Sequence, residues 1–180
     1  MVILIVGITG AGKTTYIRSQ PTPSTHLHSE MFDSDPSLDS YIGKIDYFHQ
    51  RTKLFITTCQ FYSLQKGVKT PIFIEATPRT AKKMIEIGIM PNQIIILDVC
   101  PTLAYQRAEI RRKQTGQDYI GKRQIETQKK TLDRLYSYIA KELSYYYEQK
   151  ENTSNTDGRI FRVFTRKSES RPWEGSERPI

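Results

Sequence analysis

The sequence predicts an α/β fold, a three-layer sandwich built on a mainly parallel sheet. Three observations carry this expectation. Apolar runs of strand length recur at residues 2–6, 71–75 and 93–99. The segments between them have helical composition and spacing, and strands alternating with helices build a parallel sheet with helices on both faces. The chain has 180 residues, which suits one such domain with a full core and leaves little room for a second.

Taken in order, residues 2–6 (VILIV) form a short buried strand. A glycine-rich turn follows, and then a helix over residues 13–19, which Pro21 and Pro23 end. Residues 25–29 are a short second strand, closing on a cluster of carboxylates at Glu30, Asp33 and Asp35. Residues 37–66 read as one or two helices broken near residues 49–52, with Phe48, Phe55 and Tyr62 on one face and Gly67 as the stop. Pro71 to Glu75 is a strand ending in a carboxylate. A helix over residues 80–87 follows, ended by Gly88 and Pro91. QIIILDV, residues 93–99, is a third buried strand, with Asp98 expected as a strand-end acid capping the next helix. Pro101 opens a basic helix to about residue 114, which Gly116 breaks. Residues 120–148 are expected as one amphipathic helix with Ile125, Leu132, Leu135, Ile139, Leu143 and Tyr146 on its core face. Asp157-Gly158 is a turn, and residues 160–164 alternate as a last strand, expected at a sheet edge. Residues 1–164 are thus read as a single domain, and residues 165–180 as a polar tail expected to be largely disordered.

The first turn carries the chemistry. Gly7-Ile8-Thr9-Gly10-Ala11-Gly12-Lys13-Thr14 satisfies G-x-x-x-x-G-K-[ST] at every fixed position, between a strand and a helix. Glycines let the backbone bring its N–H groups close to a polyphosphate with no Cβ in the way. The helix that follows presents its positive end to the same anion. Lys13 can reach the β- and γ-phosphates, and the Thr14 hydroxyl can sit on Mg²⁺. The expected fold is therefore of the P-loop nucleoside-triphosphate hydrolase or kinase type. Gly7, Thr9, Gly10, Ala11, Gly12, Lys13, Thr14 and Thr15 are the expected nucleotide-binding residues, with ATP and Mg²⁺ as cofactors.

The net charge of +8 and pI near 9.4 suit polyanionic partners, and they do not separate a nucleotide enzyme from a nucleic-acid enzyme. Cys59 and Cys100 are the only cysteines and form no C-x-x-C pair; both are expected as buried reduced thiols of a cytoplasmic protein. No basic leader precedes the first strand and no apolar run approaches about 18 residues, so neither a signal peptide nor a membrane span is expected. His26, His28 and His49 form no metal-ligand set with nearby cysteines or acids. Oligomeric state is not readable.

Three features turn the triphosphate site toward a kinase. The chain is too short for the extra sheet of large motor ATPases, and no N-K-x-D guanine signature occurs. A basic segment follows the third strand: Arg107 and Arg111 share a helical face, Arg112 is adjacent, and Gly116 and Gly121 make residues 107–123 a mobile lid. Such a flap can supply charge to a transferring phosphoryl group while excluding water, the competing acceptor.

Residues 1–147 resemble the nucleoside and nucleotide kinase group of P-loop proteins, which includes adenylate, thymidylate and deoxynucleoside kinases. IFIEATPRT (residues 72–80) is similar to the adenylate-kinase segment D-G-F-P-R, with Glu75 in place of Asp and Ala76 in place of Gly. That resemblance implies that Glu75 helps hold Mg²⁺ and that Arg79 grips donor or acceptor phosphate. IILDVCPTLAYQRAEIRRK resembles the strand, helix and lid start of thymidylate and deoxynucleoside kinases, which implies ATP-phosphate contacts for Arg107, Arg111 and Arg112. FHQRTKLFITTCQFY resembles the helix lining the acceptor pocket of deoxynucleoside kinases. Glu30 stands where those kinases place their catalytic glutamate. Asp33 and Asp35 compete with it, since polynucleotide 5′-hydroxyl kinases use an aspartate in the same region. The expected function is γ-phosphoryl transfer from ATP to a nucleoside or nucleoside monophosphate. A polynucleotide 5′ end is the alternative acceptor, and a regulatory or assembly ATPase without kinase activity the alternative of another class.

Overall fold

A computed structural model describes residues 1–20, 25–28, 71–86, 90–116, 120–154 and 158–167. Its elements are β1 (Val2–Gly7), α1 (Lys13–Arg18), β2 (Thr25–His28), β3 (Ile72–Ala76), α2 (Pro78–Glu86), β4 (Gln93–Val99), α3 (Pro101–Thr115), α4 (Lys122–Lys141), β5 (Tyr147–Ser154) and β6 (Arg159–Arg166). They form one six-stranded sheet in the order β2-β3-β1-β4-β6-β5.

The sheet is mixed. β2, β3, β1 and β4 run parallel, whereas β6 pairs antiparallel with β4, and β5 antiparallel with β6. All six residues of β1 are buried, as are the last six of β4. Successive strand residues point to opposite faces, so these central strands are covered on both. Burial of this kind is worth roughly 1.5–3 kcal/mol for each isoleucine or leucine, and Leu4, Ile5, Ile94, Ile96 and Leu97 are all inaccessible or nearly so.

Two helix boundaries follow local rules. Pro101 occupies the first turn of α3, where its missing N–H costs nothing, and Gly116 closes the helix in a left-handed conformation (φ 66°), its N–H donating to Arg112 O at 2.9 Å. α4 begins after Gly121, whose N–H donates to the Gln124 side chain at 3.1 Å.

Two expectations at the C-terminal end are corrected. The expected helix over residues 120–148 stops at Lys141, and residues 147–154 are a strand. Leu143 and Tyr147 are buried at helical spacing from Ile139, so the apolar pattern continues although the helix has ended. The last strand is not at an edge: β6 lies between β4 and β5, and it extends to Arg166. The region of Glu30, Asp33, Asp35 and Cys59, the helices expected over residues 37–66 and the tail beyond residue 167 lie outside the described residues. Among the described residues no helix is long and apolar enough to cross a membrane.

Candidate functional site

β1 delivers the chain to the carboxyl ends of the parallel strands, with β3 on one flank and β4 on the other. The turn that follows depends on two glycines, Gly10 and Gly12, with φ of 84° and 83°. L-residues with side chains rarely adopt these angles. Gly10 also has no room for a side chain, since a Cβ there would lie 2.2 Å from the Ala104 carbonyl oxygen of α3. Ala11 N–H closes the turn on Ile8 O at 3.1 Å, and Thr9 N–H donates to Gln128 Oε1 of α4 at 2.8 Å. Lys13 is buried, and its ammonium folds back over the loop to donate to Gly7 O at 3.0 Å and Ile8 O at 3.3 Å. Thr15 is exposed on α1.

Glu75, on the β3 flank, gathers the polar groups around it. Thr14 Oγ1 donates to its carboxylate at 2.9 and 3.2 Å, His26 Nε2 of β2 lies 3.1 Å from Oε2, and Lys13 Nζ lies 3.9 Å from Oε1. Thr14 Oγ1 and Glu75 Oε2, 2.9 Å apart, are hard oxygen donors of the kind that would suit Mg²⁺. Among the described residues there is no cluster of three or more His, Cys, Asp or Glu able to cage a metal. One carboxylate and one hydroxyl are the donor set of an ion that takes its other ligands from phosphate and water.

The β4 flank carries a second set of charges. Asp98 does not cap α3, whose start has no side-chain cap. Its carboxylate is buried and binds Lys129 Nζ of α4 at 2.8 Å and Arg162 Nη2 of β6 at 3.1 Å. Burial works against the charge on Lys129, but its hydrogen bonds to Asp133 and Asp98 outweigh that and hold its pKa above the usual lysine value. Cys100, expected to be buried, is exposed. Arg159, the first residue of β6, reaches the glycine loop: its Nη1 donates to Gly12 O at 3.4 Å, and its guanidinium lies over the Phe161 ring at 5.6 Å. Phe161 in turn packs on Tyr16 of α1, ring centroids 5.5 Å apart, and burial pushes the Tyr16 phenol up.

The structure thus brings Lys13, Thr14 and Glu75 together beside the glycine loop. Arg79 stands exposed at the start of α2. Arg107 is half-buried and Arg111 and Arg112 are exposed on α3, the helix whose Ala104 touches the loop. His26, Gln128 and Arg159 were not among the expected site residues. Arg159 follows the Asp157-Gly158 turn that the sequence does announce, but its place at the loop depends on β6 running antiparallel beside β4, which no local signal reveals.

No family model and no curated protein matches this chain. Among solved structures, a chain in the structure of the Pnkp1/Rnl/Hen1 RNA repair complex shares the fold with a TM-score of 0.51 at 20% sequence identity. The match covers 83% of the present chain and 52% of the other, so this chain spans about half the length of its structural neighbour.

Proposed function

We propose that this protein is an ATP- and Mg²⁺-dependent phosphotransferase of the P-loop kinase type. The observation that carries the reading is the joint placement of Lys13, Thr14 and Glu75 around a loop held by two left-handed glycines. Lys13, with its ammonium held at the loop, neutralises charge that develops as the γ-phosphoryl group moves. Thr14 and Glu75 would hold Mg²⁺, which supplies positive charge to the β- and γ-phosphates. His26 holds the same carboxylate oxygen of Glu75 that receives the Thr14 hydroxyl. Arg79, Arg107, Arg111 and Arg112 are the candidate cations for the transferred group, and a carboxylate among Glu30, Asp33 and Asp35 is the candidate base that orients the acceptor.

The acceptor is a nucleoside or nucleotide hydroxyl or phosphate, or the 5′ end of a nucleic acid. The likeness to a chain of an RNA repair complex favours the nucleic-acid end, and the +8 charge suits either acceptor. Incubation with γ-labelled ATP, Mg²⁺ and a panel of nucleosides, nucleoside monophosphates and 5′-hydroxyl oligonucleotides tests both. We expect label on one class only, lost in Lys13→Ala with the melting temperature retained. Full transfer by Lys13→Ala would remove the site assignment, and tight ATP binding with no labelled acceptor would favour a regulatory ATPase. Steep loss of acceptor binding with salt marks a polynucleotide, because several backbone phosphates are then neutralised at once.

A further inference from the structure

We infer that Arg159 is a ligand of the donor's phosphate chain, supplied from outside the lid. The inference rests on the reading of the glycine loop as a triphosphate site. The loop is flanked on the β3 side by Lys13, Thr14 and Glu75. Across it, on the β4 side, Arg159 is in contact with the loop backbone, bonded to Gly12 O at 3.4 Å. Its guanidinium is so close to Gly12 that a Cβ on that residue would lie 2.9 Å from Nη1. The guanidinium therefore borders the loop at Gly12, the residue that precedes Lys13.

Three contacts hold the arginine in that place. Gly158, with φ of 78°, turns the chain at the carboxyl end of β4, where Arg159 pairs with Val99. The same glycine packs against Leu103 of α3, its would-be Cβ 3.1 Å from Cδ2. The Phe161 ring supports the guanidinium from below and is itself backed by Tyr16. A planar fork that is pre-positioned loses little rotamer freedom on meeting phosphate oxygens, and it offers paired donors that an ammonium cannot.

Calorimetric titration of the full chain with ATP and with inorganic tripolyphosphate, at fixed ionic strength, tests the assignment. The variants are Arg159→Gln, which removes the charge and shortens the side chain, Arg159→Lys, and Lys13→Met as the loop control; melting curves check the fold. We expect Arg159→Gln to weaken both ligands by about tenfold, and Arg159→Lys to fall between it and the wild type. Unchanged affinity for both ligands in Arg159→Gln would overturn the inference. So would weakening for ATP alone, since the side chain would then serve the nucleoside rather than phosphate. Should Arg159→Gln melt early, Arg159→Lys decides by the same comparison: an unequal effect on the two ligands, or none, overturns it. If the wild type, fully folded, bound neither ligand, the loop reading itself would fail. If Lys13→Met lost binding while both Arg159 variants kept it, only the role of Arg159 would.

Discussion

Glu75 receives a hydroxyl from Thr14, an imidazole from His26 and the field of Lys13, and it stands at the end of a strand whose other residues are wholly apolar. A carboxylate so placed holds its orientation before any ligand arrives. Glu75→Gln preserves the size and an acceptor oxygen for Thr14 while removing the charge. Half-maximal rate should then require about 10- to 100-fold more Mg²⁺ with the fold retained; an unchanged Mg²⁺ titration would exclude Glu75 from the metal site. At this scale the sequence was informative where a motif fixes residue type and spacing together, as at Gly7, Gly12, Lys13 and Thr14. It was silent on His26 and Arg159. Nothing distinguishes a histidine in a short strand, or an arginine after a turn, until the neighbouring strands are placed beside them.

Elements differ in how much of themselves they write into the sequence. β1, β3 and β4 lie at the covered centre of the sheet, so they are continuous apolar runs and are readable. β5 (YEQKENTS) is polar and charged, the composition that keeps an edge strand from pairing with other chains, and for that reason it carries no alternation to read. Its absence from the sequence reading also placed β6 at an edge. Leu143 and Tyr146, spaced as if on a helix, prolonged α4 past its true end. What joins these elements is the Asp98 cluster, which ties β4 to α4 through Lys129 and to β6 through Arg162, itself stacked over Tyr136 at 4.4 Å. Asp98→Asn removes the charge and leaves two half-buried cations facing each other. Chemical denaturation should register a loss of about 1.5–3 kcal/mol; a loss below about 0.5 kcal/mol would mean that solvent already screens the cluster.

Stability of the molecule as a whole should weaken in alkali, and Tyr147 supplies part of the reason. Its side chain is 3% exposed and its hydroxyl donates to Pro91 O at 2.8 Å. Burial raises its pKa well above the ordinary tyrosine value, against a smaller opposing pull from Arg166. The native state therefore keeps a proton that the unfolded chain releases above about pH 10, so this contribution is complete below that pH and is lost as pH rises from there toward the native value. Tyr16, Tyr138 and Lys129, also raised, act in the same direction. Unfolding free energies from urea titrations at about pH 8 to about pH 11 should fall more steeply for the wild type than for Tyr147→Phe, by up to about 1.4 kcal/mol per pH unit. Parallel curves would show that Tyr147 titrates alike in both states. The antiparallel insertion of β6 has a consequence for how the protein is made. A ribosome delivers the glycine loop well before the arginine that touches it, which arrives 147 positions later than Gly12. Until that strand emerges and pairs with β4, the nascent chain holds the loop without its Arg159 contact.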